Sequence, residues 1–178
     1  MIYHIDMSNH YNQKNYSVIA VVSVNSKNKK DNSVKKAIVI TEPFRSKLLK
    51  DYSQIQLHAA IVSLLIEDLI PFKIAYICPD IKPIDNVISY ICQLHPELVL
   101  GHFKSLNELR EGIGDMKYCS EADAFARNVN RNFNRRKNRH RRRDYFDDDL
   151  NLMIVSYEHS INGKKLIEKL RRFIESNR

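Results

Sequence analysis

The sequence predicts an α/β domain. It reads as a mixed five-stranded sheet, an antiparallel meander followed by α/β crossovers, flanked by helices and extended by a C-terminal strand–helix unit. Three observations carry this. Residues 1–41 hold three runs rich in β-branched residues with short polar connections, as consecutive antiparallel strands do. From residue 55 the apolar spacing changes to the helical period. Beyond it, strand-like and helix-like runs alternate, as crossover units require.

Residues 1–7 carry Ile2 and Ile5 and read as a strand ending near Asp6. YSVIAVVSV (16–24) and KKAIVIT (35–41) make the second and third strands around a polar SKNKKDNS turn. Ile55, Leu57, Ala60, Ile61, Leu64, Leu65 and Leu69 share one helical face, and Pro71 stops that helix. FKIAYIC (72–78) is apolar almost throughout, as a strand buried on both faces would be. A helix is expected over 84–94 after Pro83, a fifth strand over 97–103 and a short helix around 106–111. A long helix is expected from near Ser120, where Glu121 and Asp123 suit a helix N-terminus. Residues 150–157 alternate like a strand, and 161–176 form an amphipathic helix with Leu166, Leu170 and Phe173 on one side. The expected divisions are a domain over 1–130, a basic then acidic insertion over 131–149, and a strand–helix appendage over 150–178 that packs on the domain or on a partner.

A chain of 178 residues suits one well-buried domain. No apolar run is long enough to span a membrane, and the N-terminus lacks the basic and apolar regions of a signal peptide. Three cysteines without Cys-x-x-Cys spacing point away from a disulfide framework or zinc site and toward an intracellular, cytoplasmic setting. The net charge of +8 is concentrated in 131–143, where Arg131, Arg135, Arg136, Lys137, Arg139, Arg141, Arg142 and Arg143 supply eight positive charges. Such a run suits a polyanion, nucleic acid above all, or else a solvated insertion.

Five local motifs fall in order on these elements. Asp6-Met7-Ser8 ends the first strand, Gln56-Leu57-His58-Ala59-Ala60 opens the helix, Asp80 follows the fourth strand and Val99-Leu100-Gly101-His102 closes the fifth. Glu121-Ala122-Asp123-Ala124-Phe125-Ala126-Arg127 completes the series near the start of the long helix. Taken singly, these acids are turn or cap residues and His102 a loop histidine. Together, over roughly residues 1–130, they resemble the ribonuclease H family. The resemblance implies a crevice with Asp6, Asp80 and Asp123 as metal ligands, Gln56 at the fourth ligand position and His102 as proton shuttle. It implies two Mg²⁺ or Mn²⁺ ions and hydrolysis of the RNA strand of an RNA/DNA hybrid. The RNA would be recognised by its 2′-hydroxyls.

Gln56 departs from the family, which has a glutamate there. An amide offers a carbonyl oxygen but no charge. Three accounts stand open: a natural loss of catalysis, an introduced substitution, or compensation by Glu42 or, less readily, Glu67. Met7 replaces the family's glycine. The rival functions are a non-catalytic binding module of the same fold and a related DNA nuclease or resolvase. The C-terminal helix could equally serve a protein partner or self-association.

Overall fold

A computed structural model describes residues 2–8, 11, 16–24, 34–79, 81–105, 116–136, 146–147 and 152–175. Seven strands form one mixed sheet: β1 (Ile2–Ser8), β2 (Tyr16–Val24), β3 (Lys35–Thr41), β4 (Ile74–Ile77), β5 (Phe103–Ser105), β6 (Phe146–Asp147) and β7 (Leu152–Val155), in the order β5-β4-β1-β2-β3-β7-β6. The helices are α1 (Glu42–Asp51), α2 (Gln54–Ile66), α3 (Ile84–Leu94), α4 (Met116–Arg136) and α5 (Ile161–Glu175).

The meander is as expected: β1–β2 and β2–β3 are antiparallel. The crossovers then make β4 parallel to β1 and β5 parallel to β4. The period-2 alternation sorts the side chains onto two faces. Tyr3, Ile5, Met7, Ile19, Val21, Ile38, Ile40, Ala75 and Ile77 point into a core with α1, α2, α3 and α5. Tyr16, Val18, Ala20, Ala37, Val39, Leu152 and Ile154 point the other way, onto Ala126 and Val129 of α4. The result is three layers, with the sheet between a group of four helices and the single helix α4. Residues 57–66 of α2 are buried all round, because the sheet, α3 and α5 enclose it.

Several expectations are corrected. The sheet has seven strands among the described residues, not five, because β7 pairs in parallel with β3 and β6 pairs with β7. The C-terminal unit is therefore built into the sheet. Leu166, Leu170 and Phe173 of α5 belong to the main core, and Phe173 stacks on Tyr90 at 4.7 Å, so that apolar face is covered by the chain itself. The fifth strand is Phe103–Ser105 and not 97–103, with a 3-10 turn at Leu100–His102 before it. α1 was not foreseen. The long helix begins at Met116 rather than Ser120 and runs on to Arg136, so the basic stretch starts inside a helix. On β4, Ile74 and Tyr76 are only half-buried, so the strand is not closed on both faces. The expected helix around 106–111 lies outside the described residues.

Among the described residues no helix is long and apolar enough to cross a membrane.

Candidate functional site

The C-terminal ends of β1 and β4 lie side by side. Asp6, between Ile5 and Met7 of the core face, points toward the α4 side and is 8% exposed. Its Oδ1 accepts a hydrogen bond from the Met7 N–H at 2.7 Å. Ile5 pairs with Ile77, and the Cys78 N–H donates to the Ile5 carbonyl at 2.9 Å. The ladder therefore brings Cys78 alongside Asp6. Asp80 follows two residues later and lies outside the described residues.

α4 supplies the next wall. Ala122, Ala126 and Val129 bury its inner side. Asn130 Nδ2 donates to Ser8 Oγ at 3.2 Å, and the Tyr16 hydroxyl donates to the Asn130 carbonyl at 2.9 Å and to its Oδ1 at 2.5 Å. These bonds pin α4 to the end of β1 and the start of β2. Asp123 lies seven residues earlier, about 10 Å along the axis on nearly the same helical edge. Its carboxylate is engaged at two points by Arg127, with Nε to Oδ1 and Nη2 to Oδ2 both at 2.8 Å.

Gln56 occupies the first turn of α2, on the opposite side of the sheet from α4. Ser53 and Gln56 form a capping box: the Gln56 N–H donates to Ser53 Oγ at 3.2 Å, and the Ser53 N–H donates to Gln56 Oε1 at 3.0 Å. The one side-chain oxygen that could ligate a cation thus already accepts a hydrogen bond at the helix end. Two residues further on, His58 Nδ1 and the Tyr11 hydroxyl share a buried hydrogen bond of 3.0 Å. Burial pushes the Tyr11 hydroxyl well above the usual tyrosine range, and the nearby Arg45 guanidinium offsets this only in part. Arg45 is itself buried, with Nη1 donating to Ser17 Oγ at 2.9 Å. Burial lowers its pKa, opposed by Glu42 and Tyr11.

His102 stands apart from all of this. Phe103 is level with Ala75, and Ala75 with Tyr3. His102 is therefore level with the start of β1, about 13 Å along the strand direction from Asp6 and two strands away. Its Nδ1 accepts from the Val99 N–H at 3.0 Å, and its ring meets Phe72 edge-on at 6.3 Å. The expectation of a histidine at the crevice relied on a strand over 97–103, with His102 near its end. The strand starts at 103 instead, which puts the side chain at the wrong end of the sheet.

The compensating acids considered for Gln56 are also engaged elsewhere. Glu42 opens α1 and its Oε1 accepts from Ser46 Oγ at 2.6 Å. Glu67 pairs with Lys169 at 3.2 Å. Of the basic residues, Arg131 is exposed on α4. Arg135 and Arg136 continue the helix backbone. Lys137, Arg139, Arg141, Arg142 and Arg143 lie outside the described residues.

Among the described residues no three His, Cys, Asp or Glu side chains converge to hold a metal ion. Gln56 is bound to the helix cap, Asp123 to Arg127, and His102 is remote, so the described donor set does not fit a two-metal centre. Sequence reasoning missed Asn130 and Tyr16, which clamp α4 on the sheet at β2. It also passed over two legible local signals: the Ser-x-x-Gln spelling of a capping box, and the i,i+4 spacing of Asp123 and Arg127.

The fold and these contacts define the chain as a three-layer α/β protein with Asp6 buried beside the joined ends of β1 and β4. No protein-family model, no curated protein and no solved structure matches it.

Proposed function

We propose that this is a ribonuclease H-like domain that binds nucleic acid, with an RNA/DNA hybrid as the preferred duplex, and that its hydrolytic centre is impaired. The observation that carries the reading is α4. One unbroken helix packs on β1 and β2 beside Asp6, carries Asp123, and leads into the basic run through Arg131, Arg135 and Arg136. The strand order around β1, with β1 and β4 parallel neighbours and β2 reversed, is the arrangement the family resemblance requires. The neutral, cap-bound Gln56 and the remote His102 support loss of catalysis.

The second reading, an active hydrolase, is favoured by the adjacency of Asp6 to Cys78, two residues before Asp80. Two carboxylates at neighbouring strand ends would retain part of a site for a hard divalent cation.

The test is incubation of a labelled RNA/DNA hybrid with the protein and with Gln56→Glu, in Mg²⁺ and in Mn²⁺, with binding measured in parallel. Hybrid binding with no cleavage by the native protein is the expected result. Cleavage by the native protein establishes the second reading. Cleavage of DNA duplex or junctions in its place, or no nucleic-acid binding, rejects the proposal.

A further inference from the structure

The exposed edge of α4 has a charge pattern that the fold does not need. From Ala124 to Arg136 the helix carries Arg127, Arg131, Arg135 and Arg136 and no acid, and no acid follows until Asp144. A helix C-terminus favours cations in its last turn, but Arg127 stands nine residues before Arg136, the last described residue of the helix. Residues 127, 131 and 135 are four apart, so they climb one helical edge at about 6 Å per step. That rise is close to two nucleotides of a duplex strand, at about 3.4 Å each. Arg127 is 65% exposed and Arg131 is also exposed.

At the foot of this ladder the Arg127 guanidinium grips Asp123 at two points. The pair is solvent-facing, with Asp123 at 30% exposure, and exposed pairs of this spacing are weakly held. A phosphate, though tetrahedral, also offers two oxygens that a guanidinium fork can grip at two points, as it grips a carboxylate. Exchange of one for the other conserves both hydrogen bonds to the guanidinium.

We propose that the Arg127–Arg131 edge of α4 is a phosphate-tracking surface for a nucleic-acid backbone, and that Arg127 is a latch which leaves Asp123 for a phosphate on binding. The inference rests on the nucleic-acid reading above and adds to it the register of the backbone on α4. Asp123 competes with the ligand for Arg127, and binding frees its carboxylate at the same moment.

The experiment measures the affinity of a fluorescent RNA/DNA hybrid for the full chain across a salt series. Four proteins are compared: native, Arg127→Ala, Asp123→Asn and the double variant. Arg127→Ala is expected to weaken binding and flatten the log–log salt slope by about 0.9, the loss of one phosphate contact. Asp123→Asn is expected to tighten binding several-fold, and that gain should vanish in the double variant. A gain that persists in the double variant shows mere charge removal and overturns the latch. Native binding with an unchanged slope in Arg127→Ala overturns the surface while leaving the proposed function standing. Absence of native binding removes both. Equal, Arg127-dependent binding of poly-glutamate overturns the nucleic-acid assignment of this edge.

Discussion

Ser53 and Gln56 hold each other across the first turn of α2, each backbone N–H donating to the other's side-chain oxygen. The position where the family resemblance calls for a metal-binding glutamate is therefore a working part of a helix end. Gln56→Ala should destabilise the fold by about 0.5–1.5 kcal/mol, the net worth of one hydrogen bond. Gln56→Glu should keep the box and gain about 0.3–1 kcal/mol from a negative charge at the helix N-terminus. Urea midpoints check both. Equal midpoints for the three proteins would show that the side chain does not cap the helix.

His102 should matter to local packing and not to ligand binding. His102→Ala removes the bond to the Val99 N–H and the edge contact with Phe72. A loss of about 0.5–1.5 kcal/mol of stability is expected, with hybrid affinity unchanged. A selective fall in nucleic-acid affinity without a stability change would place this residue at the interface after all.

Gly163 tests the seating of the terminal helix. Alanine in a helix ordinarily exceeds glycine in stability by roughly 0.5–1 kcal/mol. Here an added Cβ would meet the Tyr157 carbonyl oxygen at 2.0 Å. The turn is tight because Ser160 caps α5, with Oγ donating to the Tyr157 carbonyl at 2.7 Å and accepting from the Gly163 N–H at 2.9 Å. Gly163→Ala should therefore reverse the usual sign and destabilise by about 1–3 kcal/mol. A thermal midpoint at or above the native value would contradict the packing of α5 described above.

Tyr11 gives a pH dependence with a definite sign. Its folded-state pKa is well above the ordinary 10.0 because burial disfavours the phenolate. Above pH 10 the unfolded chain ionises this group while the folded chain does not. Its contribution is thus fully present below pH 10 and lost as the pH rises toward the folded value. Tyr11→Phe should lower stability at neutral pH, through loss of the His58 hydrogen bond, yet make the decline above pH 10 shallower. Parallel alkaline profiles for the two proteins would contradict this.

Much of the frame was legible because it rests on periodicity. β2 and β3 match the expected 16–24 and 35–41, and α3 matches 84–94, where Pro83 leads directly into Ile84. What failed has local causes. Leu98, Val99 and Leu100 read as strand, yet Val99 and Leu100 are 59% and 62% exposed and form the approach to a 3-10 turn. Apolar composition there did not signal burial. α1 was hidden because only Phe44, Arg45 and Leu48 are buried along it, which leaves little amphipathic pattern. The Thr41-Glu42-Pro43 start, with proline in the first turn, was the available signal. The site was less legible than the fold, since whether the strand ends or begins at Phe103 decides on which end of the sheet His102 falls.

Binding of a nucleic-acid backbone by α4 and the basic run that follows it is the point on which the proposed function stands or falls. The most direct measurement is fluorescence anisotropy of a labelled RNA/DNA hybrid over a salt series. If about six phosphates are neutralised, log affinity should fall against log salt with a slope near −5, taking the duplex DNA coefficient. Replacing Arg141, Arg142 and Arg143 together by alanine should flatten it. No binding at low salt, or affinity indifferent to salt, would contradict the claim.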